Sequence, residues 1–217
     1  MNGTLLYRDR QEAGQKLAEA LRDRDVRPDP LVMALPRGGV PIGKSIANAL
    51  DAELDVMLVR KLGHPNQPEL AMGAIASGGG RSLNERVAST VSDEQFQRVE
   101  RKEREELERR EKVFRGDRPQ PRVAGRCVIL VDDGIATGST MRAAAQALRS
   151  LGPKRIVAAV PVGPPSSIAD LEQVTDEVVC PNQPETFMSI GQFYRDFAQL
   201  RDDDVKAILQ ASRSGVD

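Results

Sequence analysis

The chain has 217 residues, of which 40% are hydrophobic and 29% charged, with 31 Lys+Arg against 32 Asp+Glu for a net charge of −1. That is long enough to bury a core without staples, too apolar for a disordered chain, and too evenly charged for a general attraction to nucleic acid or anionic membranes. One histidine (His64) and two cysteines (Cys127 and Cys180) exclude a disulfide scaffold, a His-rich metal site and a Cys-based zinc site. No basic-then-apolar leader opens at Met1-Asn2-Gly3-Thr4, and no apolar run approaches the roughly 20 residues that span a bilayer. The expectation is a reduced, cytoplasmic, soluble protein, organised as a single domain over 1–217.

Asp9 and Glu12 form a capping-box pattern ahead of Ala13, Leu17, Ala20 and Leu21, which predicts a helix from about Arg10 to Asp25. Leu31–Leu35 reads as a buried strand that ends at Pro36-Arg37-Gly38-Gly39. A helix opening near Pro41 follows, then a strand over Leu54–Val59. This strand–loop–helix–strand order predicts a parallel sheet. Arg60–Glu69, polar and carrying two prolines, reads as a mobile loop, followed by a strand over Leu70–Ala76 and a turn at Gly78–Gly80. From Ser92 to about residue 115 the pattern is a long charged helix. It has a narrow apolar stripe at Phe96, Val99, Leu107 and Phe114, and i,i+4 pairs at Glu100/Arg104, Glu105/Arg109 and Glu108/Lys112. A solvated helix is one reading and a dimer helix the other.

Cys127–Val131 is a second buried strand. It runs into Asp132-Asp133-Gly134-Ile135-Ala136-Thr137-Gly138-Ser139-Thr140 and an Ala-rich helix stopped by Gly152-Pro153. A strand over Arg155–Val160, a short helix around Ser167–Val174, a strand over Glu177–Cys180 and a last helix over Asp202–Ala211 complete the pattern. The tail between them gathers Phe187, Phe193, Tyr194 and Phe197, four of the chain's seven aromatics (five Phe, two Tyr).

Two glycine-containing loops thus follow apolar strands and precede helices, where ligands bind in open α/β sheets and where helix starts offer unpaired N–H groups to anions. In the second loop a carboxylate pair suits a sugar diol or helps to hold a metal. The hydroxyls of Thr137, Ser139 and Thr140 with the Gly138 backbone suit a phosphate a few ångströms away. Acid pair plus hydroxyl–glycine cradle describes ribose 5-phosphate.

The run Val128–Thr140, VILVDDGIATGST, resembles the signature by which type I phosphoribosyltransferases bind PRPP (5-phosphoribosyl 1-diphosphate). Pro36-Arg37-Gly38-Gly39 is similar to that family's pyrophosphate loop, and Arg60–Ala76 stands where the family has its flexible catalytic loop. The resemblance spans a core of about 31–180. It implies a mostly parallel five-stranded sheet flanked by helices, with a small hood built from about 181–217 and a contribution from 1–27.

It further implies transfer of ribose 5-phosphate from PRPP to a nitrogen acceptor, usually a nucleobase, with release of pyrophosphate and with Mg²⁺ as cofactor. Such an enzyme serves nucleotide metabolism, and family habit adds a homodimer. Carried over by position, Asp132 and Asp133 meet the ribose hydroxyls directly or near the PRPP-bound Mg²⁺. Ile135, Ala136, Thr137, Gly138, Ser139 and Thr140 hold the 5-phosphate. Arg37 with the Gly38 and Gly39 backbone holds pyrophosphate. Ala136 stands where 6-oxopurine enzymes of the family carry an aspartate, so the acceptor base is not assigned.

Among single residues, Arg60 and Lys61 are candidate cations for pyrophosphate, and Phe187 is a candidate platform for the acceptor base, with core packing as its alternative. His64 and Glu69 are loop residues that could act in the same loop. Two rival functions remain on the sequence. One is a non-catalytic PRPP sensor on the same fold. The other is a P-loop ATPase or kinase, because Gly38–Ser45, GGVPIGKS, matches the nucleotide-binding pattern with Lys44 as its lysine.

Overall fold

The computed structural model describes residues 6–26 and 28–212; the Met1–Thr4 start and the extremes of the hood ranges, 1–5 and 213–217, lie outside them. Helix α1 (Arg10–Leu21) is capped by Asp9, whose side chain accepts from the Glu12 N–H. It is followed by β1 (Pro30–Ala34), α2 (Gly39–Leu50) and β2 (Glu53–Val56). The chain then forms β3 (Val59–His64), β4 (Gln67–Ala76), β5 (Arg81–Leu83), α3 (Glu85–Ala88) and α4 (Asp93–Arg115). The second half adds β6 (Cys127–Val131), α5 (Ser139–Arg149), β7 (Arg155–Ala159), α6 (Pro165–Glu172), β8 (Glu177–Val179) and α7 (Asp202–Ala211).

The main sheet has five parallel strands in the order β2-β1-β6-β7-β8. Its strands are buried on both faces, which is why they read as continuous apolar runs. The two-residue alternation of a strand divides them: Val32, Ala34, Ile129 and Val131 join one core cluster, and Leu31, Met33, Val128 and Leu130 the other. The direction of winding reverses between β1 and β6, so a crevice opens past the carboxyl ends of those two strands. Ala34 pairs with Val131 there, and the Leu35 N–H donates to the Val131 carbonyl at 2.8 Å. The two candidate loops therefore leave the sheet side by side.

The expected mobile loop at Arg60–Glu69 is instead the tip of an antiparallel hairpin, β3 and β4, joined around Pro65-Asn66 and extended by β5 into a second, three-stranded sheet. Pro65 sits in the turn and Pro68 at the register shift opposite Gly63 and His64, so neither breaks the hairpin. Helix α2 begins at Gly39, two residues before the expected start.

Helix α4 lies against β3 and α7. Ser92 and Gln95 cap it reciprocally. Leu107 and Phe114 are its buried apolar residues, while Phe96 and Val99 pack only partly. Glu100 pairs with Arg104 at 2.7 Å as the spacing predicts, but Arg109 turns to Glu106 rather than Glu105. At its C-terminal end Arg115 is buried and donates to Asp55 of β2 at 3.0 Å and to the Val56 carbonyl at 3.3 Å. This pair anchors a highly charged helix to the sheet edge.

The aromatic tail folds back on the N-terminal segment. Tyr7 bridges to Tyr194, the Arg195 N–H donates to the Tyr7 carbonyl at 2.8 Å, and the Tyr7 hydroxyl donates to the Pro161 carbonyl at 2.9 Å. No helix among the described residues is long and apolar enough to cross a membrane.

Candidate active site

Asp132 and Asp133 follow the last residue of β6 and sit at the floor of the crevice. Asp133 is tied down: Arg10 Nε donates to its Oδ2 at 2.8 Å, with both side chains mostly buried. The same guanidinium donates to the Ala198 carbonyl at 2.9 Å and lies 3.9 Å from the centroid of the Phe197 ring. The Tyr194 hydroxyl donates to the Asp133 carbonyl at 2.6 Å. The acid pair is thus clamped from below by α1 and the tail.

Asp132 has a different environment. Its Oδ1 accepts from the Asp133 N–H at 2.8 Å, and among the described residues it forms no ion pair. Burial, and next the Asp133 charge, push its carboxyl well above the usual aspartate range. Burial also raises Asp133, against the pull of Arg10. Two like charges partly withdrawn from water favour a cation beside them.

The first loop packs directly on this pair. A Cβ on Gly38 would lie 2.0 Å from Asp133 Oδ2, and one on Gly39 would lie 2.5 Å from the Val131 carbonyl oxygen. Only glycine lets the backbone come this close. Arg37, after a cis Pro36–Arg37 bond, extends toward solvent with Asp202 of α7 at 3.9 Å.

The second loop rises to α5. Gly138 has φ +65°, a left-handed conformation that turns the chain into the helix. The Thr137 hydroxyl donates to Ser139 Oγ at 3.2 Å, and Ser167 Oγ donates to the Ala136 carbonyl at 2.6 Å. Ile135 is buried, whereas Ala136, Thr137, Ser139 and Thr140 are exposed at the mouth of the loop. The first N–H groups of α5 face the same space and suit an anion.

The hairpin closes the crevice. Lys61 Nζ donates to Ser139 Oγ at 3.1 Å, so this cation sits on the hydroxyl loop rather than on the Gly38-Gly39 loop. Arg60 Nε donates to Glu103 of α4 at 2.7 Å. A cleft of about 260 Å³ joins Pro36, Met57, Arg60, Asp132 and Thr140 to Leu107 and Arg110 of α4. A wider one of about 530 Å³ runs from Arg60, Lys61 and Thr140 past His64 to Lys102 and Glu103. The His64 Nδ1 accepts from the Asn66 N–H within the hairpin tip. Lys61 and Glu69 also border a polar cleft of about 890 Å³ beside β4, β5 and α5.

Phe187 stays outside these clefts. It stacks on Phe193 with ring centroids 5.3 Å apart and packs, half-buried, against the main core. Sequence reasoning missed Arg10, because nothing local marks the first residue of a helix as the partner of a carboxylate 123 residues further along the chain. It also missed Arg110, which looked like one charge among many on α4. Tyr194 was visible only as part of an aromatic cluster.

The geometry is incompatible with a nucleotide P-loop. Gly39–Lys44 is already helical, and Gly43 faces Leu54, Ala34 and Val32 in the core instead of an open loop. The donor set also limits any metal. The described residues hold no cluster of three or more His, Cys, Asp or Glu side chains that could bind an ion. An unneutralised Asp132 beside Asp133 fits Mg²⁺ held mainly by substrate oxygens, the manner usual for that ion.

The family model for the phosphoribosyl transferase domain matches residues 7–198. Two curated proteins from strains of Mycobacterium tuberculosis, "Putative phosphoribosyl transferase Rv0571c" and "Putative phosphoribosyl transferase MT0597", are each 45% identical over 206 residues, which is 94% of this chain and 46% of theirs. The chain therefore spans about half the length of these curated relatives. The crystal structure of TT1426 from Thermus thermophilus is 40% identical, covers 95% of this chain and 99% of that one, and superposes with a TM-score of 0.88. The AQ2163 protein from Aquifex aeolicus shares the fold at 12% identity and a TM-score of 0.50, over 84% of this chain and 78% of its own.

Proposed function

Because the chain belongs to the phosphoribosyl transferase domain family, we propose that it transfers ribose 5-phosphate from PRPP to a nitrogen acceptor of nucleobase type and releases pyrophosphate. One observation carries this reading. The Gly38-Gly39 loop lies in contact with the acid pair on one side, and the hydroxyl loop at Thr137–Thr140 continues from the pair on the other. Two anion cradles with a diol-binding pair between them match a donor that carries a phosphate at one end and a diphosphate at the other.

In the reaction the C1–O bond of the donor breaks, its electron pair leaves with pyrophosphate, and the acceptor nitrogen forms the new C1–N bond and loses a proton. Positive charge grows on the sugar and negative charge on the leaving group, so the protein's task is positioning and charge stabilisation. Asp132 and Asp133 hold the ribose hydroxyls and face the positive sugar. Residues Ile135–Thr140, with Lys61 at Ser139, hold the 5-phosphate. Arg37 and the Gly38 and Gly39 N–H groups meet the diphosphate. Asp132 and Asp133 would stand beside a substrate-borne Mg²⁺, which when bound would neutralise charge on the leaving group. No covalent nucleophile is required.

The test is a panel of purine and pyrimidine bases with PRPP and Mg²⁺, read as pyrophosphate release. Turnover with one base supports the transferase. PRPP binding without turnover on any base would favour the sensor, and absence of PRPP binding would overturn the reading.

A further inference from the structure

Helix α4 places an arginine where its sequence pattern calls for an apolar residue. Leu107, Arg110 and Phe114 follow at spacings of three and four and therefore share one face of the helix. Leu107 and Phe114 are buried. Arg110, between them, is half-buried and lines the 260 Å³ cleft together with Pro36, Asp132 and Thr140.

Its acidic neighbours make their direct contacts elsewhere, although the Glu106 charge still reaches it. Glu106, one turn earlier, is held by both ends of the Arg109 guanidinium at 2.8 and 2.9 Å. Glu111 accepts from Arg115 and from Gln120. Glu103, which borders the neighbouring 530 Å³ cleft, is taken by Arg60. Among the described residues Arg110 has no ion pair and no side-chain hydrogen bond; its one ring contact is Phe114, with the centroid 5.8 Å away. A guanidinium beside the cleft with no ion pair keeps its N–H donors open to an anion that enters.

We propose that Arg110 is a ligand-binding residue that meets the diphosphate of the donor, a role resting on the PRPP reading above. The strand order selects that end of the molecule. The Arg115–Asp55 pair fixes α4 to β2, and β2 lies beside β1, whose loop is Pro36–Gly39. The hydroxyl loop follows β6, on the far side of β1. Helix α4 thus reaches the crevice from the diphosphate side and adds a cation from outside the two strand-end loops.

The test titrates wild type, Arg110→Gln and Arg110→Lys with PRPP, with Mg²⁺-pyrophosphate and with ribose 5-phosphate, and follows thermal stability of each variant. Arg110→Gln is expected to weaken PRPP and pyrophosphate roughly tenfold or more, the loss of a charge-assisted hydrogen bond. Ribose 5-phosphate should bind as to wild type, and Arg110→Lys should recover part of the loss. Unchanged pyrophosphate affinity, or an equal loss for all three ligands, overturns the role. A wild-type protein that binds neither PRPP nor pyrophosphate overturns the donor reading itself and this role with it.

Discussion

Arg10 Nε lies 2.8 Å from Asp133 Oδ2 and joins residues 123 positions apart in the chain. The contact lets two adjacent carboxylates share a nearly dry strand end, because one of them is neutralised by the protein and the other is left for a ligand. Stability and binding are consequently coupled at this point.

Removing the clamp exposes the coupling. Arg10→Met leaves Asp133 buried without its cation and should cost about 3 kcal/mol, the low end for breaking a buried pair. Its sign with pH follows from the shift. Loss of Arg10 raises the folded-state pKa of Asp133 further above its unfolded value. Stability is then retained below the unfolded aspartate range and lost as pH rises through the folded value. Urea denaturation at two pH values should find a larger deficit at pH 8 than at pH 5. A deficit that is the same at both pH values would mean that Arg10 acts only by packing on Phe197.

Asp132→Asn should have opposite effects on stability and binding. The amide oxygen can still accept from the Asp133 N–H, while the buried charge and, next to it, the like-charge repulsion from Asp133 disappear. The free protein should gain about 0.5–2 kcal/mol at neutral pH. PRPP affinity should fall by about 1.5–3 kcal/mol with the loss of charge-assisted hydrogen bonds. Thermal unfolding paired with calorimetric titration checks both signs.

Gly38→Ala inserts a methyl group 2.0 Å from Asp133 Oδ2, so either the loop or the carboxylate must move. The expected cost is about 1–3 kcal/mol of stability from overpacking. A larger proportional loss of PRPP binding should accompany it, because the first loop and the acid pair meet at this contact. A variant that keeps wild-type affinity would show that the loop can retreat freely.

Arg37→Ala and Lys44→Ala separate the two readings of the first loop. Lys44 lies within α2 rather than in a phosphate-wrapping loop. Its removal should leave PRPP affinity within about 0.5 kcal/mol. Arg37→Ala should cost about 3 kcal/mol of transition-state stabilisation, by analogy with loss of one oxyanion donor. Steady-state rates on the acceptor found by the base panel supply the comparison; a dead Lys44→Ala enzyme would contradict the helical assignment.

The parallel core was legible in the sequence because its strands are local apolar runs and its turns carry their own chemistry. Cys127–Val131 could be read as a buried strand, and Thr137–Thr140 as a phosphate-type loop, from a dozen consecutive residues. Of the hairpin at Val59–Ala76 the strand Leu70–Ala76 was legible, but its partner strand and the pairing at Arg60–Glu69 were not. That stretch faces solvent over much of its length, so its polar composition imitated a loop, and its ladder bonds depend on pairing that composition does not reveal. The site shows the same division. The identities of Asp132, Asp133 and Gly38 follow from local pattern. Which carboxylate is neutralised, which cation meets Ser139, and why Gly38 cannot carry a side chain are consequences of atoms brought together from distant parts of the chain. Charge is long-ranged and residue spacing is not. On α4 the spacing puts Arg110 on the face of Leu107 and Phe114, but only the packing of that face, with the buried Arg115–Asp55 contact, brings Arg110 to the cleft.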